Sequence, residues 1–320
     1  MTPMSKPAFW RSTPPAVFPP VMGLFGVALG WRRAAEAFGT STAIADLVLG
    51  ATVMIFLLLF AAYMAKFLAR PEVVLEDLRV LPGRAGLAAA SLSVMLFAAA
   101  MVPYSERLAS FLLTVGVLWH MVLAGLMSYV LAKGPAAQRK TTPVWHLSYV
   151  GFVVAPLSAV PLGMIPLAMG LFISTIGIAV VIYAISLSQL AQRDPPPPLR
   201  PLLAIHLAPL SLFGTIAASV ELTGMAICFA LLATLVLAIM LYKARYLTAA
   251  GFSPLWGAFT FPLAAYGGMM LALASVAGFF GFIGGAVLVA ATLITIYIAA
   301  KVLQMFVKGS LAKGTNAAIA

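Results

Sequence analysis

Residues 254–307 read PLWGAFTFPLAAYGGMMLALASVAGFFGFIGGAVLVAATLITIYIAAKVLQMFV. Lys301 is the single charged residue in this stretch. A break near Gly278 divides it into two apolar runs, 254–276 and 279–307. Each is long enough for a helix to cross a hydrocarbon core, which takes about 20 residues. A helix also satisfies its own backbone hydrogen bonds where water cannot. The first run carries Pro262 in its interior, and the second has no proline. Proline removes a backbone hydrogen bond and crowds the preceding turn, so the first helix is expected to kink and the second to run straight. The unit is a hairpin of two membrane helices.

Breaks at charges and at Gly/Pro/polar clusters divide the rest of the chain in the same way. Ten spans are expected, at 18–38, 43–68, 85–103, 105–132, 145–161, 163–190, 201–219, 222–246, 254–276 and 279–307. The odd spans carry prolines within or beside their apolar stretch, namely Pro19 and Pro20, Pro103, Pro156, Pro209 and Pro262. The even spans are nearly free of them, Pro166 being the exception. The expected fold is therefore an all-α membrane protein of ten transmembrane helices in five hairpins. Each hairpin pairs a kinked inner helix (at Pro20, Pro103, Pro156, Pro209 or Pro262) with a straighter outer one, and five inner helices can enclose a pore. The general abundance of proline in membrane helices is the competing account of the alternation.

Composition agrees. The chain has 320 residues, 63% of them hydrophobic and only 8% charged, with a mean hydropathy of +1.09. Soluble domains carry about a quarter charged residues, so this chain has too few to cover a water-facing surface. Its natural solvent is the lipid bilayer. The net charge of +11 is read as membrane orientation, and no nucleic-acid partner is expected. All but Arg32, Arg33 and Arg107 of the 19 Lys and Arg residues lie on the side of the termini and of the loops after even spans. By the positive-inside rule both termini are then cytoplasmic. The expected organisation is a cytoplasmic arm at 1–16, a transmembrane domain at 17–308 and a cytoplasmic tail at 309–320.

Catalytic chemistry is hard to assemble from these residues. No phosphate-binding loop, dinucleotide fingerprint, nucleophile elbow, zinc-protease motif or haem-attachment motif is present. Neither an enzyme, a cofactor nor a metal site is expected. Cys228 is the lone cysteine, within an apolar run. Asp46, Glu106 and Glu221 fall near the outer ends of spans, and Glu36 with Arg32 and Arg33 at the outer end of the first. His206 is the most conspicuous polar residue on an inner helix, either a satisfied polar contact or a proton relay. His120 and His146 do not form a metal-ligand spacing with it.

A pore without buried acids and with a basic cytoplasmic face should prefer anions, selected by its diameter and electrostatic barrier. Hydrophobic constrictions gate such pores by dewetting. Phe25, Phe152, Phe213, Phe259 and Phe261 are the candidate aromatic constrictions, each with interhelical packing as its other reading. Gly23, Phe25, Phe152, His206 and Phe213 are possible pore-lining positions.

Three stretches carry a family resemblance: PPVMGLFGVALGW at 19–31, IHLAP at 205–209 and WGAFTFPLAAYG at 256–267. Together they make the chain resemble the tellurite-resistance/dicarboxylate transporter (TDT) family, which includes bacterial tellurite-resistance channel homologues and plant guard-cell slow anion channels. The resemblance implies a quasi-fivefold bundle of five hairpins around a central pore lined by the odd helices. It implies a homotrimer with one pore per subunit in the bacterial inner (plasma) membrane. It also implies a phenylalanine on the ninth helix that occludes the pore. That residue matches Phe261, before Pro262, with Phe259 as the competing position. The expected partners are small inorganic or organic anions, passed by a channel or channel-like permease. A coupled, proton-linked carrier of C4-dicarboxylates or sulfite is the alternative. Short tails argue against kinase gating of the plant type.

Overall fold

The computed structural model describes residues 9–320. Residues 1–8 of the expected N-terminal arm, Lys6 among them, lie outside the described residues. The described chain is helical throughout, with no strand. Two short 3-10 turns, Phe9–Ser12 and Pro15–Val17, lead into α1 (Phe18–Phe38), α2 (Ala43–Ala69) and the short α3 (Val73–Arg79). Then follow α4 (Leu81–Met101) and α5 (Glu106–Lys133). A broken segment comes next, with a π turn at His146–Val150, a 3-10 turn at Gly151–Val154, and α6 (Pro156–Ala159). After α7 (Ile165–Gln192), a ten-residue 3-10 stretch, Pro197–His206, runs into α8 (Leu207–Ser219). The chain closes with α9 (Thr223–Tyr242), α10 (Ala244–Leu247), α11 (Gly257–Ala272, preceded by a 3-10 turn at Pro254–Trp256), α12 (Gly278–Val307) and α13 (Ser310–Gly314).

Eight of these segments are long and apolar enough to cross a membrane: α2, α4, α5, α7, Pro197–Ser219, α9, Pro254–Ala272 and α12. The other two expected spans differ for stated reasons. The hydropathy of α1 is pulled down by Pro19 and Pro20 at one end and by Arg32, Arg33 and Glu36 at the other. The stretch 145–161 is not one helix, because Gly151 and Pro156 interrupt the ladder and leave it in three pieces.

The prolines are placed differently from the kinks expected of them. Pro20 lies in the first turn of α1, Pro156 opens α6 and Pro209 lies in the first turn of α8. A missing N–H costs little near a helix start, and Pro156 and Pro209 stand where 3-10 turns pass into α-helix. Pro103 lies in the turn beyond α4, which it helps to terminate. Of the five, only Pro262 stands inside a helix.

Burial alternates along the chain. The most apolar window of α4 is 89% buried, and those of Pro197–Ser219 and Pro254–Ala272 are each 67% buried. The corresponding windows of α2, α5, α7, α9 and α12 are only 22–33% buried. Each buried segment packs on the exposed helix that follows it. The buried segments also touch one another in sequence. α1 packs on α4, α4 on the broken segment, that segment on α8, α8 on α11, and α11 back on α1. Lipid gives helices no hydrophobic reason to associate, so close approach through small residues supplies the contact. A methyl group built at Gly267 would meet Leu288 N at 3.2 Å, and one at Gly284 would meet Leu271 N at 2.8 Å. These two glycines let α11 and α12 lie backbone to backbone.

Polar contacts gather the chain's described ends at one end of the bundle. Lys66 Nζ lies 2.8 Å from Asp77 Oδ2, and neither side chain is exposed. Lys66 also donates to Thr13 O at 3.0 Å, while the Tyr63 hydroxyl and the Ala318 N–H donate to Asp77 at 3.0 and 2.8 Å. Ala320 N donates to Arg11 O at 3.0 Å. The C-terminal segment is therefore docked on the bundle. Burial pushes the Asp77 carboxyl above its ordinary range, with Lys66 opposing.

Candidate functional site

Two open cavities enter the bundle from opposite ends of the buried segments. The proximal one lies on the side where the termini meet, and the distal one at the other end. All five buried segments contribute to each. Met22, Ala85, Val150, Leu202 and Ala258 are among the proximal wall residues. Leu29, Leu96, Leu157, Thr215 and Ala264 are among the distal ones. Phe261 and Leu212 belong to both walls. They form the partition between the two cavities.

The Phe261 ring is held on this partition by glycines of α1. Its side chain is 5% exposed, and a methyl group built at Gly26 would meet Phe261 Cδ2 at 3.0 Å. One turn earlier, Gly23 makes room for Thr260, whose hydroxyl donates to Gly257 O at 2.7 Å and also reaches Pro19 O. Gly23 thus seats α11 against α1 and does not line either cavity. Phe259, two residues from Phe261, turns away and packs edge-on against Trp256 at 5.7 Å.

The other aromatic candidates face outward from the cavities. Phe25 packs between Phe56 of α2 and Phe97 of α4. Phe152 stands 4.6 Å from the His120 ring on α5. Phe213 packs between Phe172 of α7 and Phe229 of α9. None of the three lines either cavity. The periodicity of each segment puts these rings on the side facing the outer helices, where they fill the seam between layers.

His206 does not stand in a cavity wall either, but His146 does. The two rings meet across 60 residues of sequence, with His146 Nε2 and His206 Nδ1 3.0 Å apart. His206 Nε2 pairs with Ser186 Oγ at 2.9 Å, and the Tyr183 hydroxyl donates to His206 O at 2.5 Å. His146 Nδ1 is buried without a partner among the described residues. Among the described residues, His146 is the one in the proximal wall whose side chain bears nitrogen or oxygen. Sequence spacing gave no sign of this pairing, which depends on the register of two irregular segments. No group of three or more His, Cys, Asp and Glu that could hold a metal ion occurs among the described residues.

Charge is distributed unevenly. Among the described residues no carboxylate lines the proximal cavity, and Glu36 is the one carboxylate in the distal wall, on the same helix as Arg32 and Arg33. Arg32 is pinned, donating to Ala100 O at 3.0 Å, to Tyr104 at 3.3 Å and to Asp46 at 3.4 Å. Asp46 also accepts from Tyr104 at 2.6 Å, which pushes that phenol above its ordinary range. Arg33 reaches across to Thr215 of α8 at 3.5 Å. Both arginines had been legible only as the end of a span. The structure turns them into the bundle, where the donors of Arg33 face the distal cavity.

Two largely apolar cavities that share Phe261 and Leu212 in their walls, one of them carrying excess positive charge, would suit an anion better than a cation. Residues 12–303 match the family model described as voltage-dependent anion channel (SLAC1), in agreement with the resemblance read from the sequence. No curated protein matches the chain.

Proposed function

The chain belongs to the voltage-dependent anion channel family, and we propose that it is an anion-selective channel or channel-like permease closed at rest by Phe261. The observation that carries this reading is that Phe261, with Leu212, stands between two cavities built from the same five segments. In this reading α1, α4, the segment 145–161, Pro197–Ser219 and Pro254–Ala272 are the five inner spans of a quasi-fivefold bundle. The exposed helices α2, α5, α7, α9 and α12 are the outer five. The cyclic order of contacts and the alternation of burial support it.

An ion in an apolar neck loses its hydration with little in return, so a single ring across the path is an effective barrier. Removing the ring joins the two funnels. In this reading the excess of basic residues on the connections after outer helices favours a cytoplasmic side for the proximal cavity and both termini, with the bacterial inner (plasma) membrane as the proposed setting and a homotrimer as the proposed assembly. The permeant class is a small inorganic or organic anion. Currents of Phe261→Ala against wild type, in oocytes or planar bilayers under anion gradients, test the proposal. A variant as silent as the wild type defeats it.

A second reading, a proton-linked carrier of C4-dicarboxylate or sulfite, is favoured by one feature. The His146–His206–Ser186 chain reaches from the proximal wall into the bundle. Uptake that follows a pH gradient and is lost in His206→Ala distinguishes it from uncoupled conduction.

A further inference from the structure

Of the two arginines that line the distal cavity, Arg32 is held by three partners and Arg33 has its donors largely unspent. Its hydrogen bond among the described residues is the long one to Thr215 Oγ1, 3.5 Å from Nη1. A guanidinium carries five N–H donors. The ion pairs among the described residues engage Arg32, Lys66, Arg70 and Arg200, and Arg33 is in none of them. Glu36, one turn along α1, opens on the same cavity but is exposed and forms no ion pair with Arg33 among the described residues. Thr215 is 1% exposed. Its oxygen accepts from Arg33, and its own hydroxyl hydrogen meets no acceptor among the described residues. Across from both, Gly268 keeps the space open, for a methyl group built there would come 3.3 Å from Arg33 Nη1. Two donor groups with no acceptor between them, at a cavity wall, make a place that lacks an anion's oxygens.

We infer that Arg33 and Thr215 form an anion-binding subsite on the distal face of the Phe261 partition, one that takes a small oxyanion or carboxylate in preference to a halide. The guanidinium fork offers two parallel N–H groups that match two oxygens of one ion, and the Thr215 hydroxyl adds a third donor. A single-centre halide uses that fork less fully. Thr215 lies one helical turn beyond Leu212, the partner of Phe261 in the partition. An ion held there replaces part of its hydration shell beside the apolar neck. The role in permeation rests on the channel reading above, but the binding itself does not.

The test uses the purified full-length protein, titrated with sodium nitrate and separately with sodium chloride, and followed by melting temperature and by titration calorimetry. Nitrate is expected to bind more tightly than chloride. Arg33→Gln should weaken nitrate binding by about tenfold or more, since charge-assisted bonds are lost. Arg33→Lys should keep chloride binding and lose the preference for nitrate, and Thr215→Val should weaken nitrate by a smaller factor. Arg33 is in no close ion pair among the described residues, and the melting temperature without added nitrate or chloride checks that each variant folds. If Arg33→Gln does not fold, the other two variants decide. Nitrate affinity unchanged in Arg33→Lys and Thr215→Val, or chloride preferred by the wild type, overturns the inference. The Phe261→Ala currents are read separately. Silence there with Arg33-dependent nitrate binding removes the gate and leaves the subsite standing. Conduction in Phe261→Ala with nitrate-to-chloride selectivity unaltered by a second Arg33→Gln change removes the subsite and leaves the gate.

Discussion

Gly26 of α1 supports the ring of Phe261 on α11, with so little clearance that a methyl group on Gly26 would stand 3.0 Å from Phe261 Cδ2 and 3.1 Å from Ala264 Cβ. A glycine at this point fixes how far the ring can settle toward α1, and so where the partition between the two cavities lies.

Gly26→Ala is therefore expected to destabilise the protein by about 1–2 kcal/mol, the cost of forcing an extra methyl into a packed contact. In a Phe261→Ala background the ring is gone and only Ala264 remains close, so the penalty should shrink. Thermal unfolding of the four members of this double-mutant cycle measures the coupling. Additive effects would show that the two residues do not touch in the way described.

Phe259→Ala separates the two phenylalanines. Phe259 packs on Trp256 and lines neither cavity. Its truncation should lower the melting temperature while leaving currents at the wild-type level, whereas Phe261→Ala raises them. Recordings of both variants under one anion gradient decide the matter, and a conducting Phe259→Ala would move the gate.

Lys66→Met leaves Asp77 buried beside Tyr63 and Ala318 with its cation removed. Breaking a buried pair by removing one partner costs about 3–5 kcal/mol, so the variant should unfold at markedly lower temperature. Lys66→Met combined with Asp77→Leu should recover part of that loss, because no charge is left buried, although the Tyr63 hydroxyl and the Ala318 N–H lose their acceptor. A double variant no more stable than the single one would contradict this account.

His206→Ala tests the second reading against the first. It removes the acceptor or donor facing His146 and Ser186 but leaves both cavities and Phe261 in place. In the channel reading, currents of Phe261→Ala/His206→Ala follow the anion gradient and ignore an imposed pH gradient. Currents or uptake driven by the pH gradient in Phe261→Ala, and lost with His206, would favour the carrier.

The partition was half legible in the sequence. A phenylalanine before Pro262 stands out by resemblance, but the residues alone left Phe259 and Phe261 as equals. Two residues along a helix turn a side chain by about 200°, and nothing in local composition says which face looks inward. The same ambiguity explains Phe25, Phe152 and Phe213, whose segments line the cavities while their rings face the outer helices. His146 and His206 illustrate a different gap. They lie on irregular π and 3-10 stretches, where the helical period that relates sequence to direction no longer applies. Arg33 was visible as a charge within a span, a feature that costs free energy in lipid and so points to function. Its neighbours on α8 and α11 were not visible.

What the sequence determined by itself follows from quantities that sum along the chain. Apolar length made the protein a membrane protein, since no other solvent suits 63% hydrophobic residues with so few charges. The interruptions of that length marked the hairpins, and the order of prolines and basic residues distinguished alternate spans. The tertiary structure alone decided rotation and depth. It put Phe261 and Leu212, from α11 and α8, at one level between two cavities, brought His146 to His206, and turned Arg33 toward Thr215 with its donors unspent. Those relationships depend on how closely glycines such as Gly23 and Gly26 allow neighbouring helices to approach. An approach distance is a property of two segments together, and neither sequence contains it alone.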